Sequence, residues 1–450
     1  MSQTDNSGYK GWALNALQKA GCTIGDIISI SRDGQKYEGL LIPRSDSADD
    51  LHLVIKLKSG YNIGILLTAD TKIEKIGEGI KPTFASPPLP QQKPDLPKVV
   101  IMSTGGTIAS RVDYRTGAVR SAISANDLYG VVPELADISL IDTQVLFSIY
   151  SENLTPKNWS TMAQAAAEHI ERGAKGIVIA HGTDTMGYTS AALSFALQNL
   201  PVPIIVVGAQ RSSDRPSSDA ATNLIGAVKA AAYGPFAEVV TAMHETIADT
   251  SIVLNRGNKV RKCHTSRRDT FKSINAAPIG HVNDKGVTML TTDYKKRNES
   301  NKLILKPDFC DNVALLKFFP GFDPSIIDWY TGRNVKGILL EGSGLGHVSK
   351  RCFEAIQNAT TNHELIIALS SQCIWGRVNM NVYDTGRDLL NLGVIPTEDM
   401  FPETALVKLM WALGQTNDVE KAKEIFKTNI AGELTPRTLP QENEIQEGEK

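Results

Sequence analysis

Strand-like and helix-like segments alternate between residues 98 and 243, and this alternation constrains the fold most strongly. Apolar runs typical of buried strands occur at Val99–Met102, Gly176–Ala180, Ile204–Val207 and Val239–Met243. Helix-like stretches lie between them, at Thr161–Arg172, Thr185–Leu200 and Ser218–Ala232. Strands that alternate with helices predict an α/β fold with a mostly parallel sheet. Because ligands bind at the carboxyl ends of strands in such sheets, the loops there are the first candidates for chemistry.

A shorter pattern of the same kind follows. Its strands are predicted at Val313–Phe318, Gly337–Leu340 and Leu365–Leu369, and its helices at Asp323–Tyr330, Arg351–Asn358 and Pro402–Leu413. We therefore expect two α/β domains, at residues 98–295 and 296–435, followed by an acidic tail at residues 436–450.

The first 97 residues have a different character. Short β-type runs at Asp26–Ile30, Tyr37–Ile42, Leu51–Leu57 and Tyr61–Ile65 predict a small all-β barrel within residues 1–80. Residues 81–97 then hold six of the chain's 21 prolines. A proline-rich segment is extended and semi-rigid, so it predicts a linker between two domains.

Charge and cysteine content narrow the class of protein. The net charge is −2 and the isoelectric point is about 6.5, whereas proteins that grip nucleic acid by themselves carry a basic excess. The five cysteines have no CxxC spacing, which argues against a disulfide framework or a zinc site and favours a reducing compartment. The sequence has neither a secretory signal nor an apolar run of membrane-spanning length, and therefore predicts a cytoplasmic protein without a membrane partner.

The first strand of the α/β region ends in a loop with two glycines, Thr104-Gly-Gly-Thr107. Three interpretations are open: a plain strand-end turn, a phosphate cradle, or a nucleophilic Thr107 beside backbone N–H groups that would stabilise an oxyanion. The phosphate-loop motifs GxxxxGK[ST] and GxGxxG are both absent here. Taken alone, this loop is best interpreted as a plain strand-end turn.

A second strand ends in His181-Gly-Thr-Asp-Thr185 and leads into a helix. Asp184 could simply cap that helix. Two strand-end loops that both carry Gly-Thr sequences nevertheless indicate a site that uses hydroxyl groups. None of the eight histidines has metal-ligand spacing with another, so the sequence predicts no metal site, and His181 and His264 are interpreted as packing or hydrogen-bonding residues.

Together the segments TGGTIAS and HGTDTM resemble the two signature motifs of the L-asparaginase/glutaminase family of threonine amidohydrolases. The resemblance implies a two-domain asparaginase-like fold for residues 98–435. It implies that Thr107 is the acylated nucleophile, that Tyr114 closes over the substrate, and that Thr183, Asp184 and Lys262 form a second catalytic group. It also implies that the α-carboxylate and α-amino groups of the substrate are held by Ser151, Glu152 and Asp184.

The resemblance leaves two roles open. Tyr114, Lys262 or a water molecule could each accept the proton of Thr107. Lys262 also lies in a basic run, so a surface role is the alternative, although its place before Asp269-Thr-Phe271 favours catalysis. Ser343 and the segment Gln372–Gly376 are candidates for completing the site of a neighbouring subunit.

The N-terminal region resembles the barrel found in the D subunits of archaeal glutamyl-tRNA(Gln) amidotransferases, through Tyr37–Pro43 and Lys56–Gly64. This resemblance implies a glutaminase that passes ammonia to the E subunit of the enzyme, within a heterotetramer built on a homodimer. The partner would use ATP and Mg²⁺ and hold most of the Glu-tRNA(Gln), and this chain would need no cofactor. The alternatives are a free L-asparaginase with an accessory barrel, and a binding module whose amidohydrolase half is degenerate.

Overall fold

A computed structural model describes residues 8–44, 49–57, 62–78, 93–105, 110–112, 119–121, 132–211, 218–333 and 335–438. Residues 81–92 of the predicted linker and residues 439–450 of the predicted tail lie outside the described residues. Among the helices of the described ranges, none has the combined length and apolar character that a membrane crossing needs.

The described part of the N-terminal region forms one helix and an antiparallel sheet. Helix α1 spans Gly11–Lys19, and the strands are β1 (Asp26–Arg32), β2 (Gln35–Leu41), β3 (His52–Lys56), β4 (Asn62–Leu66) and β5 (Lys72–Glu78). Their order is β4-β3-β2-β1-β5, so β4 and β5 form the edges of the described sheet. Ala13 and Leu17 of α1 pack on Ile28, Ile30 and Ile55 of the sheet, which gives this region its own core.

All four strands predicted in this region are present within two residues of their predicted ends. The fifth strand, Lys72–Glu78, was not predicted. It reads KIEKIGE, and most of its side chains are exposed, so the apolar run that identifies a buried strand is missing.

The first α/β domain is built on an eight-stranded sheet. The chain enters it at β6 (Lys98–Ser103) and then forms the hairpin β7 (Ser110–Val112) and β8 (Val119–Ser121) outside the sheet. The following strands are β9 (Leu140–Val145), β10 (Gly176–Ala180), β11 (Leu197–Gln198), β12 (Ile204–Val207), β13 (Val239–His244), β14 (Ile252–Arg256), β15 (Val260–Lys262), β16 (Phe271–Ser273), β17 (Gly280–Asn283) and β18 (Gly286–Met289). The helices are α2 (Pro156–Glu171), α3 (Met186–Ala196) and α4 (Ala220–Tyr233), with short 3-10 turns at Pro133–Asp137 and Ser151–Asn153.

The spatial order of this sheet is β18-β17-β14-β13-β12-β10-β6-β9. Five neighbouring strands of this sheet are parallel, namely β9, β6, β10, β12 and β13, whereas β14, β17 and β18 are antiparallel. Alternate residues of the central strands face α4 on one side and α2 with α3 on the other. Both faces of the sheet are therefore buried, which explains why these strands read as uninterrupted apolar runs.

The second α/β domain has a smaller sheet that is parallel throughout. After β19 (Ile304–Leu305), which pairs with β11, its strands are β20 (Val313–Lys317), β21 (Gly337–Gly342), β22 (Ile366–Ser371) and β23 (Ile395–Pro396). The helices are α5 (Ser325–Thr331), α6 (Phe353–Gln357), α7 (Asp384–Asn391), α8 (Pro402–Gln415) and α9 (Val419–Lys427), with a 3-10 turn at Lys350–Cys352 and a π turn at Asn358–Asn362. The predicted α/β fold class, with mostly parallel sheets after a β-rich N-terminal region, is confirmed.

Helix α8 joins the two α/β domains. Trp411 stacks on Phe195 of α3 with ring centroids 5.8 Å apart, and Val407 enters the core of the first domain. Two buried ion pairs accompany this contact. Lys259 pairs with Asp399 at 2.6 Å, with 1% and 2% of their side-chain surfaces exposed, and Lys408 pairs with Glu433, both fully buried.

Candidate active site at the carboxyl edge of the parallel strands

The loops after β6, β9 and β10 meet at one edge of the large sheet because these strands are parallel neighbours. The backbone N–H and the hydroxyl of Thr104 both donate to the carbonyl of Ala180, each at 3.0 Å. The N–H of Leu146 donates to the carbonyl of Ser103 at 2.8 Å. The two motif loops predicted from the sequence are therefore joined at their bases.

Two glycines allow these loops to approach one another. Gly105 has a φ of +109°, and a Cβ atom placed there would lie 2.2 Å from the carbonyl oxygen of Ile149. A Cβ atom on Gly182 would lie 2.8 Å from the Cβ atom of Ser151. Any larger residue would push the loop of residues 149–153 away from the motif loops.

Lys262 lies where the sequence places the second catalytic group. Its Nζ atom donates to Thr183 Oγ1 at 2.8 Å and to Asp184 Oδ1 at 2.7 Å. The lysine side chain is 15% exposed, whereas that of Asp184 is 70% exposed and can be reached by a ligand. Asp184 pairs with Lys262, and the residue directly before helix α3 is Thr185. The structure places these three side chains in contact, and their catalytic roles stay predictions.

The proposed substrate-binding residues lie on the neighbouring 3-10 turn, Ser151–Asn153. Ser151 is buried against Gly182, and its carbonyl accepts the hydroxyl of Thr185 at 2.8 Å. Glu152 is exposed. This turn is thus attached to the second motif loop through Thr185, a contact that no sequence pattern indicates.

Thr107 and Tyr114 lie outside the described residues, so their roles stay predictions. The described backbone on either side of Tyr114 forms the hairpin of β7 and β8, in which Val112 pairs with Val119. Gly105 precedes Thr107 by two residues and follows β6, at the same edge of the large sheet as the loop of Thr183 and Asp184.

Behind the second motif loop lies a buried chain of hydrogen bonds. Trp159 Nε1 donates to Thr189 Oγ1 at 3.0 Å, and Thr189 Oγ1 lies 2.9 Å from His181 Nε2. His181 Nδ1 lies 2.6 Å from the carbonyl oxygen of Gly182, which can only accept, so Nδ1 carries the proton. In a neutral ring Nε2 then accepts from the Thr189 hydroxyl. His181 thereby fixes the peptide between Gly182 and Thr183, as the hydrogen-bonding role predicted for it implies.

Burial lowers the pKa of His181 to about 4, with partial compensation from its hydrogen bond to Gly182. The unfolded chain binds a proton on this histidine near pH 6.5, whereas the folded protein does not do so until about pH 4. The unfolded state therefore binds more protons between these values, and acidification destabilises the fold. The shift corresponds to about 3 kcal/mol of unfolding free energy lost across this range.

We expect His181→Asn to reduce this pH dependence of stability, because asparagine does not titrate. Urea unfolding at pH 7.0, 5.5 and 4.5 measures it. The matched control is His363→Asn, which replaces an exposed histidine and should leave the pH dependence unchanged. Parallel pH profiles for the wild type and His181→Asn would contradict the assignment.

The residues proposed to complete the site of a neighbouring subunit lie at the carboxyl edge of the smaller sheet. Ser343 is exposed, and its hydroxyl donates to the carbonyl of His347 at 3.2 Å. Gln372 uses its side-chain amide within its own domain, donating to the carbonyls of Phe318 and Glu341. Ile374 and Trp375 are exposed beside it. Their role toward a second subunit stays a prediction.

No cluster of three or more histidine, cysteine or acidic side chains suited to a metal ion occurs within the described ranges.

Three family descriptions match the chain along most of its length. "Asparaginase, N-terminal" matches residues 98–295, and "Glutaminase/Asparaginase C-terminal domain" matches residues 312–426. "GatD N-terminal domain" matches residues 22–76.

Two similar proteins are named as D subunits of glutamyl-tRNA(Gln) amidotransferase. The protein from Methanothermobacter thermautotrophicus is 48% identical over 96% of this chain and 98% of its own length. That from Pyrococcus furiosus is 47% identical over 94% of this chain and 98% of its own length. These matches confirm the family resemblance over nearly the whole chain.

Solved structures match the α/β region. The thermostable L-asparaginase from Thermococcus kodakarensis is 34% identical with a TM-score of 0.67, covering 76% of this chain and all of its own. L-asparaginase I from Vibrio cholerae is 28% identical with a TM-score of 0.66, covering 76% of this chain and 99% of its own.

Proposed function

This chain belongs to the family of glutamyl-tRNA(Gln) amidotransferase D subunits, and from that membership we propose that it hydrolyses glutamine and supplies the ammonia to a partner subunit. The partner would amidate Glu-tRNA(Gln) to Gln-tRNA(Gln). The observation that carries the proposal is the contact of Lys262 with Thr183 and Asp184 at the carboxyl edge of the parallel strands.

The proposed reaction is an acyl transfer in two steps. The hydroxyl oxygen of Thr107 attacks the side-chain carbonyl of glutamine, the C–N bond breaks, and ammonia leaves with the proton that the hydroxyl gave up. Water then attacks the ester on Thr107 and releases glutamate. A threonine hydroxyl is a weak nucleophile without a neighbouring proton acceptor. Tyr114, Lys262 and a water molecule are the three candidates.

If Tyr114 or a water molecule accepts the proton, Lys262 would act by its charge and its fixed position. A cation beside the reacting carbonyl stabilises the negative charge that develops on the tetrahedral intermediate, and the pairing with Asp184 keeps the ammonium group in place. The exposed carboxylates of Asp184 and Glu152 suit the α-ammonium group of the substrate. Ser151 would contact the α-carboxylate.

The family also supports proposals about the assembly. We place the chain in a cytoplasmic complex in which a homodimer of this protein binds two copies of the E subunit. ATP and Mg²⁺ would be used by that partner, and this chain would hold no cofactor. Its net charge of −2 supports a division of labour in which the partner carries most of the tRNA contacts.

The test is the release of ammonia from glutamine and from asparagine. The purified chain is assayed alone and then with the E subunit and Glu-tRNA(Gln), with Thr107→Ala as the control. We expect glutamine hydrolysis to rise in the full mixture and to vanish in the variant. Brisk asparagine hydrolysis by the chain alone, unchanged by the additions, would instead establish a free L-asparaginase.

A further inference from the structure

Strand β15, which ends in Lys262, lies between the two α/β domains. Val260 is fully buried in the core of the first domain, and Lys262 faces the second motif loop. Their neighbours in sequence, Lys259 and Arg261, instead contact the second domain. This division follows from the alternation of side chains along extended backbone.

The segment of residues 399–404, at the start of helix α8, makes three polar contacts with the residues just before Lys262. The carboxylate of Asp399 pairs with Lys259 at 2.6 Å, and Glu403 Oε1 pairs with Arg261 Nε at 3.0 Å. The hydroxyl of Thr404 donates to the carbonyl oxygen of Asn258 at 2.9 Å. We call these three contacts the interdomain clamp.

The clamp leaves β15 little freedom to rotate or shift. Its far side is tied to the neighbouring strand, since Lys262 pairs with Phe271 in the antiparallel ladder of β15 and β16. A displacement of about 1 Å can cost about 100-fold in rate when a reacting group must keep its geometry. The contacts of Lys262 with Thr183 and Asp184 depend on such precision, because both distances are below 3 Å.

We propose that Glu403 and Thr404 are positioning residues that hold Lys262 against Thr183 and Asp184, so that the second domain assembles the amidohydrolase centre in the first. This inference rests on the proposed function of Lys262. Asp399 belongs to the same clamp, but its buried charge also governs the stability of the fold.

The surroundings of Glu403 support positioning over a stabilising role. Its Oε2 atom is buried and has no hydrogen-bond partner among the described residues. Burial raises the pKa of Glu403, and the nearby positive charge of Arg261 only partly opposes this. A carboxylate that lacks a partner on one oxygen costs stability. Its replacement should therefore affect the position of β15 more than the stability of the protein.

The experiment compares Glu403→Gln and Thr404→Val with the wild type, in the full mixture of partner subunit and charged tRNA. Both variants keep the side-chain volume but lose the charge or the donated hydrogen bond. We expect kcat for glutamine hydrolysis to fall about 10-fold with a smaller change in KM, because the charge of Lys262 serves the reaction and its contact with Asp184 affects substrate binding less directly. The melting temperature of Glu403→Gln should stay close to that of the wild type.

Two matched controls separate the loss of a clamp contact from the effect of a substitution in this region. Thr404→Ser retains the hydroxyl and should retain kcat. Glu398→Gln removes a carboxylate in the same region that pairs with Arg377 at 2.7 Å, outside the clamp, and should also retain kcat. Reaction of the Lys262 amine with acetic anhydride, followed by peptide mapping, gives a readout without turnover. It should be faster in Glu403→Gln and Thr404→Val.

The outcomes distinguish the two proposals. Wild-type kcat and wild-type labelling of Lys262 in both clamp variants would overturn the positioning role while leaving the glutaminase intact. If the wild type hydrolyses no amide in any mixture, the proposed function fails. The labelling rates alone then decide whether the clamp holds Lys262.

Discussion

Replacing Lys262 with methionine is expected to lower kcat for glutamine hydrolysis by at least about 10³-fold, the size of effect seen when one member of a catalytic unit is removed. Methionine fills a similar volume, but it cannot donate to Thr183 or pair with Asp184. The carboxylate of Asp184 then also lacks its cation. The variant therefore no longer stabilises the negative charge that develops on the tetrahedral intermediate, and it also loses the order of the second motif loop. Ammonia release in the complete amidotransferase mixture measures the effect.

Lys272→Met is the matched control for this variant. Lys272 lies opposite Arg261 on the adjacent strand, is 38% exposed, and approaches Asp269 at 3.5 Å. Partly exposed ion pairs contribute little, so kcat should change by less than about twofold. A Lys262→Met protein that keeps more than a tenth of the wild-type rate would show that this lysine is one charge of a basic surface run.

Replacing Asp399 with alanine is expected to destabilise the protein by about 3–5 kcal/mol, because it leaves the buried Lys259 ammonium group without its partner. It also removes the acceptor for the backbone N–H and the hydroxyl of Thr435, at 3.0 and 2.7 Å. Urea unfolding at pH 7 measures the loss. Asp388→Ala, which removes an exposed carboxylate on α7, should stay close to the wild type.

The double variant Lys259→Met/Asp399→Asn separates charge from packing. It removes both charges, and asparagine can still accept the Thr435 N–H, so we expect it to recover at least half of the loss. A single Asp399→Ala variant within about 1 kcal/mol of the wild type would contradict a buried charge pair, since unpairing such a charge costs more than that.

Acid should weaken the same contact. Burial alone would raise the pKa of Asp399, but the charge of Lys259 and the hydrogen bonds from Lys259 and Thr435 outweigh it and lower the pKa below its usual value. A carboxyl of this kind contributes stability above its unfolded pKa of about 4, and the contribution disappears as pH falls through the lower folded-state pKa. The Asp399→Ala variant should therefore lack this part of the acid sensitivity.

The buried strands could be predicted closely from the sequence. The predicted bounds of Gly176–Ala180 and Ile204–Val207 agree with the structure to the residue. Both faces of these strands are covered, so they are apolar without interruption. The edge strand Leu140–Val145 was missed because its polar residues interrupt the apolar run.

One predicted helix is shorter than expected, for a tertiary reason. The run Thr185–Leu200 is helical only over Met186–Ala196. Leu197 and Gln198 instead pair with Leu305 and Ile304 of β19. A pairing partner so distant in sequence leaves no local signal. The small, apolar residues of this run favour a helix, and the predicted helix was therefore too long.

The contacts of the candidate site likewise leave no local signal in the sequence. The grouping of Thr183, Asp184 and Lys262 came from the family resemblance, since no periodic pattern brings Lys262 to the second motif loop. Glu403 could be placed in the first turn of its helix, where a carboxylate suits the helix dipole. Its pairing with Arg261 was not predictable, because it depends on how helix α8 of the second domain packs against strand β15 of the first.

The buried lysine at residue 259 also affects the order in which a growing chain can fold. Lys259 belongs to the first α/β domain, while its counter-charge at Asp399 and the Thr435 groups that hold Asp399 are synthesised later. Domains usually fold as they emerge from the ribosome, the N-terminal one first. Here the turn between β14 and β15 would bury its charged lysine unpaired, at a cost in stability, until residues 399–435 have been translated. We therefore expect Lys262 to reach its place only after residues 399–435 have been synthesised, and a ribosome-bound fragment of the first domain to hold no assembled amidohydrolase centre.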